Sequence, residues 1–152
     1  MGRTNGIELT ADDFKMYVSE SYNMDGTPYV QKIWLYDVNP GNGTISNKRL
    51  FVDFAILDGS ITQDIDGMRT DLAGNLFVTR NGGGQVVVFN PNAEVIGRIY
   101  LNFARPTNLE LGGPEGRTLY VAGACEADWP GINGCVDTIP LLTAGRSWYM
   151  LQ

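Results

Sequence analysis

The stretch Asp66-Gly67-Met68-Arg69-Thr70-Asp71-Leu72-Ala73-Gly74-Asn75-Leu76-Phe77-Val78-Thr79 decides the fold. It reads as a short strand, a Gly-containing polar turn, and a second strand of aromatic and β-branched residues, which is a hairpin signature. A third strand follows at Gln85–Asn90, and a fourth at Glu94–Leu101 after the turn Asn90-Pro91-Asn92. Upstream, Asn5-Gly6-Ile7-Glu8-Leu9 and Met16-Tyr17-Val18-Ser19 repeat the opening pair. Downstream, Thr107-Asn108-Leu109-Glu110-Leu111, a turn at Gly112–Gly116, and Leu119-Tyr120-Val121-Ala122 repeat it again.

The first repeat continues with Lys32–Asp37 and, past Asn39-Pro40-Gly41-Asn42-Gly43, with Thr44–Phe54. The third continues with Ser147-Trp148-Tyr149-Met150-Leu151 and has no fourth strand. Four antiparallel strands recurring at this period are β-propeller blades. The fold class is therefore all-β: a single domain of three blades over about 5–57, 66–103 and 107–152, with a long loop at about 124–146. A β-sandwich with similar hairpins is the alternative, but the repeats match at their strand starts and not only in composition. Trp34, Phe77, Phe89, Tyr120 and Trp148 are expected between blades. Propellers close with roughly four to eight blades. Half of a six-bladed ring is thus expected to be completed by a second copy, making a homodimer, or by another half.

Composition narrows the chemistry. The 152 residues are 43% hydrophobic, enough for a core, and no apolar run is long enough to span a membrane. Met1–Gly6 has no apolar signal region, so a soluble, cytoplasmic chain is expected. A net charge of −6 without a basic run argues against nucleic acid. The chain has no histidine, which removes His-based nucleophilic catalysis and His-ligated zinc. Gly82-Gly83-Gly84 lacks a following Lys-Ser/Thr and is no phosphate loop. Cys125 and Cys135 are too far apart for a CxxC motif; a loop disulfide and two free thiols both remain open.

Asn5-Gly6-Ile7, Asp66-Gly67-Met68, Gly74-Asn75-Leu76-Phe77-Val78, Asn81-Gly82-Gly83-Gly84 and Pro106-Thr107-Asn108-Leu109 with Leu119-Tyr120-Val121 resemble, in that order, the gluconolactonase/regucalcin family. The similarity is to its C-terminal half and covers nearly the whole chain except about Cys125 to Arg146. The resemblance implies a six-bladed propeller with one divalent cation, usually calcium, on the axis. Its ligands would include Asn5 and Asp66, with Asp66 also acting in lactone hydrolysis. The family's remaining Glu ligand and its main substrate-contacting Arg and Asn belong to the half not represented here.

Read from the residues, Asp66 and Asn5 offer a carboxylate and an amide carbonyl at matching positions of successive inner strands. Calcium takes six to eight such oxygens. A cation there would polarise a lactone carbonyl, and Asp66 would accept a proton. Asn-Gly and Asp-Gly are equally common turn pairs, where the polar side chain only caps a strand. Thr107 and Asn108 occupy the matching place in the third blade, as substrate contacts or as caps. Arg80 follows the second strand of its blade as a candidate carboxylate contact or a solvated rim residue. Trp129, in the long loop, can stack on a sugar face or fill the gap beside the blades. Two functions stay open: a calcium-dependent sugar-lactone hydrolase that needs the other half of its ring, and a non-catalytic half-propeller that self-associates.

Overall fold

The computed structural model describes residues 1–25, 27–125 and 133–152. Strands β1 (Thr4–Leu9), β2 (Lys15–Met24), β3 (Thr27–Val38) and β4 (Ile45–Asp53) form an antiparallel sheet in sequence order. A single helical turn, α1 (Phe54–Leu57), follows it. The second sheet is β5 (Asp64–Thr70), β6 (Leu76–Asn81), β7 (Gln85–Phe89) and β8 (Val95–Tyr100). The third has β9 (Arg105–Gly112), β10 (Thr118–Ala124) and β11 (Gly134–Pro140). The sheets are consecutive propeller blades. Their first strands are neighbours, β1 beside β5 and β5 beside β9, and they line one side of a common axis.

Two apolar layers hold the blades together. Tyr17, Ile33, Leu35 and Phe54 of the first blade pack on Met68, Val87 and Phe89 of the second. The other face of the second blade, with Phe77, Val86 and Val88, packs on Leu109, Leu119 and Val121 of the third. Every residue of β7 is buried because both of its faces are covered, and its continuous Val-Val-Val-Phe run is what such a strand requires. Phe77 and Phe89 therefore lie between blades as expected, but Tyr120 is 39% exposed on the outward face of the third blade. Trp34 and Trp148 are half-buried.

The third blade departs from the expected strand assignment. Ser147–Leu151 is not its third strand; helix α2 spans Arg146–Met150. The third strand is β11, inside the expected 124–146 loop, paired with β10 from Thr118↔Pro140 to Ala124↔Gly134. Loop closure explains the preference: a nearby segment loses less chain entropy on pairing than a distant one. The hairpin is tied at its loop end by the Cys125 N–H donating to Asn133 O at 2.9 Å and by a Cys125–Cys135 disulfide. Beyond β11 the chain runs back beneath the blades. Leu72 N donates to Ala144 O at 2.9 Å, and Arg146 Nε donates to Thr10 O at 3.0 Å. Arg146 also pairs with Asp13, so the tail joins the third blade to the first.

Candidate functional site

Each inner strand carries a β-bulge at the same place. In β1 the register passes from Thr4↔Glu20 to Ile7↔Val18, so Asn5-Gly6 holds an extra residue. In β5 it passes from Ile65↔Arg80 to Met68↔Val78, across Asp66-Gly67. In β9 it passes from Pro106↔Gly123 to Asn108↔Ala122, across Thr107. A bulge breaks the ladder and re-aims a side chain, here toward the axis. Hydroxyls on the second strands stitch the first two bulges shut. Gly6 N donates to Ser19 Oγ at 2.7 Å, and Thr79 Oγ1 donates to Gly67 O at 3.1 Å.

The glycines of these motifs are not turn residues. Neither Gly6 nor Gly67 has a positive φ. Both are needed for close approach between blades. A Cβ on Gly6 would strike the Asp66 carbonyl, and one on Gly67 would lie 2.7 Å from Asn108 Cα. The motif thus brings successive inner strands near enough for their polar side chains to meet.

They do meet. Asn5, Asp66, Thr107 and Asn108 line one cleft of about 210 Å³, with Arg69 among the residues of its wall. Asn5 Nδ2 donates to Asp66 Oδ1, and to Ile65 O at 3.1 Å. Asn81 Nδ2 donates to Asp66 Oδ2 at 2.8 Å. The sequence offers Asn81 only as part of the Asn81-Gly82-Gly83-Gly84 motif; in the structure its place at the end of β6, opposite Asp64, lets it reach the carboxylate. Arg69 is engaged by Glu110 Oε2 at 2.9 Å and lies 3.7 Å from Glu8 Oε2. Sequence reasoning did not single it out, because nothing in a strand's composition tells which residue faces the axis.

One expected residue is not at the cleft. Arg80 is 1% exposed and lies inside β6, not in the loop beyond it. Its guanidinium sits 3.6 Å from the Phe54 ring centre and 3.7 Å from Asp58 Oδ2. Burial pushes its pKa down to about 10 against the opposing pull of Asp58. It is an interblade cation, not a rim contact. Trp129 lies outside the described residues.

The donor set suits a hard cation in kind but not in number. One carboxylate and one amide carbonyl are oxygen donors of the class calcium takes, yet calcium needs six to eight. Among the described residues no three Asp, Glu, Cys or His side chains converge. A larger depression of about 310 Å³ lies at the other end of the inner strands, beside Thr10, Lys15 and Tyr17. Its carboxylate, Asp12, already accepts from Thr10 Oγ1 at 2.6 Å and Phe14 N at 3.1 Å, so it serves a turn. The smaller cleft is where unlike functional groups converge.

The chain is similar to a gluconolactonase of Zymomonas mobilis, 31% identical over 126 residues, which are 82% of this chain and 33% of that protein. It is 27% identical over 124 residues to the pentonolactonase XacC of Haloferax volcanii, 82% of this chain and 39% of the other. Among solved structures, a luciferin-regenerating enzyme superposes with TM-score 0.77 at 24% identity, covering 93% of this chain and 46% of that one. A calcium-binding regucalcin of Agrobacterium tumefaciens superposes with TM-score 0.75 at 19% identity, covering 93% and 47%. The chain spans less than half the length of each. Residues 1–125 match the SMP-30/Gluconolactonase/LRE-like region, and the chain belongs to that family.

Proposed function

We propose that this chain carries part of the active site of a calcium-dependent sugar-lactone hydrolase. The observation that supports it most is the meeting of Asn5 and Asp66, 61 positions apart in sequence, at one end of the propeller axis. Asn5 and Asp66 would hold the cation through one oxygen each. Bound there, a calcium ion supplies polarisation of an ester carbonyl. A lactone is a cyclic ester; water adds to its carbonyl carbon, the ring C–O bond breaks, and a hydroxy acid leaves. Among the described residues lining the cleft, Asp66 is the one carboxylate, and it would take the water's proton. Its orientation is held from two sides by Asn5 and Asn81. Thr107 and Asn108, both exposed at the cleft, would bond the hydroxyls of the sugar ring.

The two proposed ligands, Asn5 and Asp66, do not complete a calcium site, and among the described residues nothing covers the outward faces of the first and third blades. Both features support completion of the ring by a second copy of the chain, a homodimer of six blades. The same shortage of ligands supports the second reading, a self-associating half-ring without turnover. The disulfide supports an oxidising compartment in place of the expected cytoplasm. Among the described residues no helix is long and apolar enough to cross a membrane.

The test is a gluconolactone hydrolysis assay on fractions whose mass is measured by light scattering. Hydrolysis is expected in the fraction of twice the chain's mass, abolished by chelator and by Asp66→Ala. Undiminished hydrolysis by Asp66→Ala would overturn the assignment, and no hydrolysis in any fraction would favour the second reading.

A further inference from the structure

The backbone at Asp66 falls in a gap of its own ladder, although Asn81 of the same sheet reaches its carboxylate. The ladder between β5 and β6 is regular at Ile65↔Arg80 and resumes only at Met68↔Val78. The residue just before Asp66 is instead held from the first blade. Ile65 N–H donates to Gln31 Oε1 at 3.2 Å and to Ser21 Oγ at 3.3 Å. Ile65 C=O accepts from Asn5 Nδ2. The other end of the Gln31 amide, Nε2, donates to Asp64 Oδ1 at 2.8 Å. The Ser21 hydroxyl donates to Gln31 Oε1 at 2.8 Å, which fixes the rotation of the amide.

Gln31 and Ser21 are both 0% exposed. Gln31 shares its side of β3 with Ile33 and Leu35, which are core residues. An amide in such a layer is costly unless both ends are bonded. Here both are, and both bonds fall on the two residues that precede Asp66. Ser21, beside it on β2, reaches the same two residues, its Oγ accepting from Ile65 N and lying 3.3 Å from Asp64 Oδ1, but Gln31 bonds each of them with a separate end of one amide and at the shorter distances. The arrangement is that of an outer-layer partner that orients a ligand it does not touch.

We propose that Gln31 is a positioning residue for Asp66: from the third strand of the first blade it fixes the Asp64–Ile65 segment, so that the bulge presents the Asp66 carboxylate to Asn5 and the axis. The functional part of this inference rests on the cation-binding reading above. The positional part does not, and the two are separable.

The experiment compares the full chain with Gln31→Met, which keeps the length of the side chain and removes both bonds. Ser21→Ala, a milder change, stands in if Gln31→Met does not fold. Val87→Ala, in the same apolar layer but on β7, with β6 between it and Ile65, is the control for general loosening. The first readout is amide hydrogen exchange at Ile65 and Gly67. It is expected to speed up in Gln31→Met and not in Val87→Ala, whatever happens to metal. Equal exchange at these amides in Gln31→Met and the unaltered chain would overturn the proposal. The second readout is titration with calcium ion alone. Affinity is expected to fall about ten- to hundredfold in Gln31→Met, the usual loss for such a partner, and to be unchanged in Val87→Ala. If the unaltered chain binds no calcium, the cation reading fails, and exchange alone decides the positional claim. If the chain binds calcium and Gln31→Met binds it equally well, the link from Gln31 to the site is refuted.

Discussion

The second blade and the third are built from the same repeat but stand in different surroundings. In the second, β6 and β7 are buried on both faces almost without interruption. In the third, β10 and β11 alternate between covered and open residues. Leu119 and Val121 face the second blade, while Tyr120 and Ala122 face outward and, among the described residues, are left exposed. The first blade has an open side too, where Ile7 and Leu50 are exposed at 59% and 48%. The difference teaches that the repeat encodes two adhesive faces per blade, and that only the middle blade of three uses both.

The largest consequence is energetic. Phe89→Ala, in the doubly covered blade, should cost about 3–5 kcal/mol of unfolding free energy. Tyr120→Ala, on the open face, should change it by about 0.5 kcal/mol or less when measured on the monomer. Denaturant titration of both variants checks this, and similar costs would break the contrast.

A smaller effect concerns the open side of the first blade. Glu20 lies there, 8% exposed, accepting from Trp34 Nε1 at 2.7 Å and from Gly2 N. Burial pushes its carboxyl up, but these two bonds, the N-terminal ammonium and Lys48 outweigh that, and its pKa falls below the ordinary 4.5. A depressed carboxylate pKa stabilises the fold above the unfolded-state value and loses that contribution as pH drops through the folded-state value. Glu20→Gln should therefore lower stability above about pH 4.5 and match the unaltered chain in stronger acid. A pH-independent difference in melting temperature would show that Glu20 acts through packing alone.

The same contrast explains what could be read from sequence. The Val86-Val87-Val88-Phe89 run announces a strand covered on both faces, and three repeats of one hairpin announce blades. Ser147–Leu151 looked like a strand because it is apolar and aromatic. It lost to Gly134–Pro140, whose own run is unremarkable but which lies close enough to pair with β10. Asn5 and Asp66 were legible through their matching places in the repeat. The reason for Gly6 and Gly67 was not, since close approach between strands leaves the same residue pair as a tight turn. Arg80 misled for a related reason: a cation at a strand end reads as exposed, and only the position of Phe54, many residues away, makes a buried place for it. Gln31 gave no signal, being a lone amide in a long strand.

The central proposal is that Asn5 and Asp66 together hold a cation. Isothermal titration of the chain with calcium, beside Asp66→Ala, tests this most directly. Saturable binding to the unaltered chain that disappears in Asp66→Ala is the predicted result. Binding of equal strength in both, or in neither, would contradict it.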